Sequence, residues 1–233
     1  MNKTEIVAWL KANRNERGIE NWNKLGAANR GLESYGLGLT QLRKLAKQVG
    51  RDHALSQELW KSDVYDLKTI ALLIDEPKLM TQEAAEEQVD QLHAGLLSHV
   101  FSSCDAALAK TSFAAELAQR WVQSSDSIRK SCGYGLVYEL SKSKKKSAPD
   151  EAYFLGHVER IAASIKAEPG PVQGSMGAAL MGIGKRSPAL NRAALKVARA
   201  IGPIDFAAEG SSCEPFDVVK HLTSDYLKAK FGK

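Results

Sequence analysis

The chain has few cysteines and no arrangement of them that binds anything. Its 233 residues carry three, at Cys104, Cys132 and Cys213, an odd number with no CxxC pair. That excludes a disulfide framework and a cysteine-built zinc site, and fits a reducing compartment. The five histidines are scattered, and His93 and His99 are six apart, which is not the spacing of a helical metal pair. No metal and no cofactor are expected. No run of 18 apolar residues occurs, so no membrane-spanning helix is expected. The opening MNKTEIVAWLKANRNERG turns charged again after Leu10 and lacks a signal-peptide core, which predicts a cytoplasmic protein. No segment shows the period-two alternation of a strand. What is present is an ordinary mixture for a folded domain, 44% hydrophobic and 25% charged, with a net charge of +5 and a pI near 9.0. The positive balance permits a polyanionic partner without requiring one.

Helical periodicity dominates instead. TEIVAWLKANR predicts a helix capped by Thr4, with Ile6, Val7 and Leu10 as its buried stripe. TQLRKLAKQVG follows the loop YGLGL, with Thr40 as cap and Gly50 as stop. DHALSQELW comes next, then SDVYDLKTIALLIDEP, closed by Pro77. TQEAAEEQVDQLHAGLLSHV reads as one helix capped by Thr81, with an acidic first turn that suits the helix dipole. SFAAELAQRWVQ and SDSIRKSCGYGLVYELSK follow, the second capped by Ser125 or Asp126. PDEAYFLGHVERIAASI, PGPVQGSMGAALMGIGKR and SPALNRAALKVARAIG complete the series, with Pro149, Pro171 and Pro188 near helix starts.

Ten to twelve helices joined by short loops predict an all-α fold, an α-α superhelix of HEAT- or armadillo-like repeats, with a globular helical bundle as the alternative. The chain is expected to form one domain over 1–233. Residues 203–233 differ in character and predict a capping tail: a loop, a short extended piece and a last helix of roughly 14 residues. Trp9, Trp22, Trp60 and Trp121, with Met176 and Met181, read as core residues.

DHALSQELWKSDVYDLKTIALLIDEP and MGIGKRSPALNRAALKVARAIG, with FSSCD spaced between them, resemble the AlkD-like DNA alkylation repair family. The likeness runs from about Tyr35 to Ile201. It implies a curved array of HEAT-like repeats whose concave, basic face cradles double-stranded DNA. It also implies alkylpurine DNA glycosylase chemistry by two aromatic side chains and one carboxylate. The carboxylate stabilises the oxocarbenium character that builds on the sugar, and the aromatic faces attract cationic groups. The family pattern sets an aromatic, usually Trp, four residues before the catalytic Asp. Here the pair is Phe101 and Asp105, which would share a face were the segment helical. The second aromatic falls on Ala178, which has no π-face. The expected arginine falls on Ser131, with Arg129 and Lys130 adjacent. The resemblance therefore implies a DNA-binding protein that is either a weakened glycosylase or a non-catalytic relative. The other reading is a helical-repeat scaffold for a protein partner.

Basic residues cluster in SKSKKKSAPD (Lys142, Lys144, Lys145 and Lys146) and in GIGKRSPALNR (Lys185, Arg186 and Arg192). Each cluster suits phosphate contact, and each also suits an ordinary solvated loop or helix end. A monomer is expected.

Overall fold

The structure, a computed structural model, describes residues 1–205 and 214–232. Among these the chain is all-helical, and its only strand-like pairings are two isolated bridges, Glu33 with Val64 and Ile204 with Phe216. The chain divides into two compact units, Met1–Ser112 and Phe113–Lys233.

The first unit holds α1 (Lys3–Ala12), α2 (Glu16–Asn23), α3 (Leu39–Val49), α4 (His53–Trp60), α5 (Tyr65–Ile74), α6 (Gln82–Val89) and α7 (Leu97–Ser102). The α5 helix is its centre. The run Leu67–Ile74 is buried apart from Lys68, because α5 packs on α3, α4 and α7. Contact of a helix with the next one and with the one two along is the pattern of stacked helical hairpins. At the start of α5 the fully buried Asp66 carboxylate accepts hydrogen bonds from Ser34 Oγ (2.8 Å), Tyr35 N (2.9 Å) and Leu37 N (3.4 Å). It thereby seats the loop 34–37. On that loop's other side α2 comes so close that Gly18 and Gly36 meet backbone to backbone. A Cβ on Gly18 would overlap the Gly36 carbonyl, and one on Gly36 would overlap the Asn15 carbonyl. Asn15 N donates to Tyr35 O across this seam at 2.9 Å.

The second unit holds α8 (Ala114–Trp121), α9 (Ser127–Lys142), α10 (Glu151–Ser164), α11 (Gly170–Gly184), α12 (Pro188–Ile201), α13 (Val218–Leu222) and α14 (Asp225–Phe231). Its core is α9 against α11, with α8 on α9, α10 and α11 on α12, and α13 over α11 and α12. Here too contacts skip one helix, α9 with α11, α10 with α12 and α11 with α13.

Several local expectations hold. Thr81 and Asp126 cap α6 and α9, their side-chain oxygens accepting hydrogen bonds from Ala84 N and Arg129 N. Gly50 ends α3 with a φ of 84°, and α5 ends at Ile74, short of Pro77. Others are corrected. The cap of α1 is Asn2, which forms a reciprocal capping box with Glu5, so Thr4 lies inside the helix. Helix α3 starts at Leu39, with the Gln41 side chain accepting from Gly38 N, so Thr40 is not its cap. The single helix expected over 81–100 is two, α6 and α7. Helix α6 stops at Val89, and the connection to α7 passes through Gly95, which has a φ of 52° and is pressed where an added Cβ would lie 2.9 Å from both Trp22 and Tyr65. The expected last helix is also two, α13 and α14, divided at Thr223 and Ser224. Trp22, Trp60, Trp121 and Met176 are core, whereas Trp9, Met181 and Val7 are only half-buried. Part of the expected capping tail, 206–213 with Cys213, and residue 233 lie outside the described residues.

Candidate nucleic-acid interface

A cationic cleft forms in the first unit where α3, the turn after it and the turn after α7 meet. Helix α3 buries Leu42, Leu45 and Ala46, so its opposite face presents Arg43 and Lys47, four residues apart. Past Gly50, Arg51 turns back across the end of α5. Its Nη1 donates to the carbonyls of Leu73 (2.9 Å) and Asp75 (2.7 Å), which a helix end leaves unsatisfied. Its Nη2 donates to the carbonyl of Asp105 at 2.8 Å. One guanidinium thus fixes the 103–105 turn against α5.

That turn is not helical. Helix α7 stops at Ser102, Ser103 is extended, and Cys104 and Asp105 both adopt left-handed backbone, with φ of 57° and 68°. The Asp105 carboxylate leaves the turn toward Lys110, whose Nζ lies 2.7 Å away. Arg43, Ala46, Lys47, Arg51, Cys104 and Asp105 line a cleft of about 130 Å³. Partial burial works to raise the Asp105 pKa, but the Lys110 hydrogen bond and the charges of Lys110, Arg51 and Arg43 outweigh it and hold the carboxyl below the ordinary aspartate range. Asp105 is therefore ionised near neutral pH. Lys110, Arg51 and Arg43 act on this one carboxylate and Lys47 lines the same cleft, so positive charge is in excess there. Next to the carboxylate, His99 Nε2 contacts Cys104 Sγ at 3.2 Å.

Phe101 and Asp105 do not share a face, since the helix ends between them. Phe101 is 1% exposed and belongs to the core, while the Asp105 side chain is 68% exposed. Ala178 is half-buried on α11 and Ser131 half-buried on α9. Beside Ser131, Arg129 is half-buried, and Lys130 is ion-paired with Glu168 at 2.6 Å. These four belong to the second unit and Asp105 to the first.

The basic residues singled out in sequence fall into two groups. Lys144, Lys145 and Lys146 are exposed in the connection from α9 to α10, and Arg192 is exposed on α12. The rest are engaged within the protein. Arg186 donates to the carbonyls of Ser141 (3.0 Å), Ser143 (2.6 Å) and Pro149 (3.4 Å), and its guanidinium lies 4.8 Å from the Phe154 ring centroid. It clamps the connection that carries the three lysines. Lys142 pairs with Glu139 at 2.6 Å and lies 4.6 Å from the Tyr138 ring centroid. Lys185 is half-buried, and burial pushes its pKa down. Sequence reasoning missed Arg43, Lys47 and Arg51 in the cleft and Lys110, the partner of Asp105. It also missed Lys196 and Arg199, which extend Arg192 into one exposed stripe on α12. The signal was there for both helices, in the four-residue spacing of Arg43 and Lys47 and of Arg192 and Lys196. Among the described residues no cluster of side chains is arranged to hold a metal ion, and no helix is long and apolar enough to cross a membrane.

The family model described as DNA alkylation repair enzyme matches residues 6–204. An uncharacterized protein of Listeria innocua, Lin0241, is 25% identical over 200 residues, covering 82% of this chain and 83% of the relative. A solved structure superimposes with a TM-score of 0.82 at 20% identity, covering 100% of this chain and 97% of the other. It represents a family of proteins related to the HEAT-like repeat DNA glycosylases, with affinity for branched DNA structures. The likeness establishes a HEAT-like repeat fold.

Proposed function

The chain belongs to the DNA alkylation repair enzyme family, and on that premise we propose that it is a DNA-binding protein that grips the phosphate backbone, of duplex and branched DNA alike, with the cleft around Asp105. The observation that carries this reading is the convergence of Arg43, Lys47 and Arg51 on one open cleft. Such a set replaces condensed counterions on DNA, which is the main source of sequence-independent affinity. The affinity of the structural relative for branched DNA supports branched forms among the ligands. The exposed lysines 144–146 and the Arg192 stripe add backbone contacts of the same kind.

Base excision is weak or absent in this reading. Asp105 is ionised and open, as a carboxylate that stabilises an oxocarbenium ion has to be. But Phe101 is interior and Ala178 has no ring, so neither supplies the aromatic wall that would hold a cationic base or sugar. With its side chain on Lys110 and its carbonyl on Arg51, Asp105 instead orients the cleft's cations.

The test is anisotropy of a labelled duplex and a labelled four-way junction across a salt series, with release of methylated purines measured alongside. Binding should weaken steeply with salt, and replacing Arg43 and Lys47 by Gln together should flatten the logarithmic slope by about two. Salt-insensitive binding, or an unchanged slope in the variant, overturns the backbone reading. Purine release by the wild type that Asp105→Asn abolishes overturns the claim of weak or absent excision.

A further inference from the structure

The cleft contains a nucleophile that phosphate binding does not use. Cys104 lines it, half-exposed, with His99 Nε2 at 3.2 Å on one side and Arg43, Lys47 and Arg51 around the mouth. A thiol within reach of a histidine base, in electropositive and partly open surroundings, is the arrangement in which protein cysteines react. Cys132 is the internal contrast, at 0% exposed inside α9. Left-handed backbone at both Cys104 and Asp105 turns the two side chains out of the helix path and into the cleft lining.

We propose that Cys104 is a covalent modification site for small anionic disulfides, and that its adduct closes the cleft to DNA. The Cys104 thiolate attacks one sulfur of the disulfide. A protein S–S bond forms as the reagent's S–S bond breaks, and the second sulfur leaves with the electron pair as a thiolate. His99 takes the thiol proton at Nε2 and passes it to water, or to the leaving thiolate where that is the stronger base. The disulfide is the only oxidant required. Arg43, Lys47 and Arg51 select the reagent by charge, drawing anionic disulfides in and repelling cationic ones. The adduct then holds negative charge and bulk against the same three side chains. Loss of DNA binding on modification rests on the function proposed above. The reactivity of the thiol does not.

The experiment uses the full chain carrying Cys213→Ser, at low salt. Two disulfides are compared, the dianionic dithiobis(nitrobenzoate), read by its coloured thiolate, and the dicationic cystamine. One thiol should react fast with the anionic reagent and vanish in Cys104→Ser. His99→Gln should slow it, and Arg43→Gln with Lys47→Gln should slow it on the order of tenfold with the anionic reagent while speeding the cationic one. A fast phase that survives Cys104→Ser overturns the assignment, as does a Cys104 no faster than free cysteine. Rates blind to reagent charge overturn the role given to the cations. Protein modified with glutathione disulfide should then lose junction affinity on the order of tenfold and regain it with dithiothreitol, whereas Cys104→Ser protein is indifferent to both. Full modification with unchanged affinity overturns the closing of the cleft. Unmodified protein that binds no DNA overturns the function proposed above and leaves the thiol kinetics to decide the site.

Discussion

His157 in α10 makes this protein acid-sensitive. Its ring is 1% exposed, stacked edge-on against Tyr153 with centroids 4.6 Å apart, and neither nitrogen has a hydrogen-bond partner among the described residues. Burial first, and the charge of Arg160 second, push its pKa from the ordinary 6.5 down to about 4. The folded state thus refuses a proton that the unfolded chain accepts. Stability is whole above a pH of about 6.5 and drains away as the pH falls toward about 4. At about 1.4 kcal/mol for each pH unit, the full loss approaches ~3 kcal/mol, a large part of a typical ~5–15 kcal/mol. His157→Phe keeps a ring against Tyr153 and removes both the proton site and the two unpartnered nitrogens. Near neutral pH it should match or exceed the wild type, by about 1 kcal/mol. Urea unfolding followed by circular dichroism in steps from about pH 7 to 4.5 measures the difference between the two proteins. Carboxylates that titrate in the same range are common to both and cancel. Parallel profiles over the whole range would refute the assignment of this acid sensitivity to His157.

Arg186→Ala should loosen the connection 141–149, since three carbonyls lose their donor. Amide exchange there should rise and stability should fall by about 1–3 kcal/mol, whereas an Arg186 that served DNA alone would leave exchange in the free protein untouched. Gly95→Ala sets a methyl group 2.9 Å from Trp22 and Tyr65 on left-handed backbone. A loss of about 1–3 kcal/mol in chemical unfolding is expected, and wild-type stability would show that the break between α6 and α7 yields freely.

The parts of the fold legible in the sequence were those fixed within a turn or two of chain. Apolar stripes, the caps Thr81 and Asp126 and the stop at Gly50 depend on near neighbours only. The misread parts depend on remote ones. Between α6 and α7 the chain passes at Gly95 against Trp22 and Tyr65, which fill the space beside it, and nothing in QLHAGLL tells of them. The turn at Cys104 and Asp105 is held by Arg51, 54 residues from the carbonyl it binds. The same separation explains the site. Four-residue spacing could have revealed Arg43 with Lys47, but only the fold brings them to Asp105. Arg186 looked like a free cation because its three carbonyl partners lie 37 to 45 residues away.

The seam between Gly18 and Gly36 sets a limit on how this protein can vary. Contacts made by side chains can drift, one partner shrinking as the other grows. Here there are no side chains to trade. Any substitution at either position adds atoms where a carbonyl already stands, so the joint between α2 and the loop 34–37 has no intermediate states available to gradual mutation. It is kept whole or it is opened, and a recombinant that takes α2 from one relative and the loop from another keeps it only if both glycines come along.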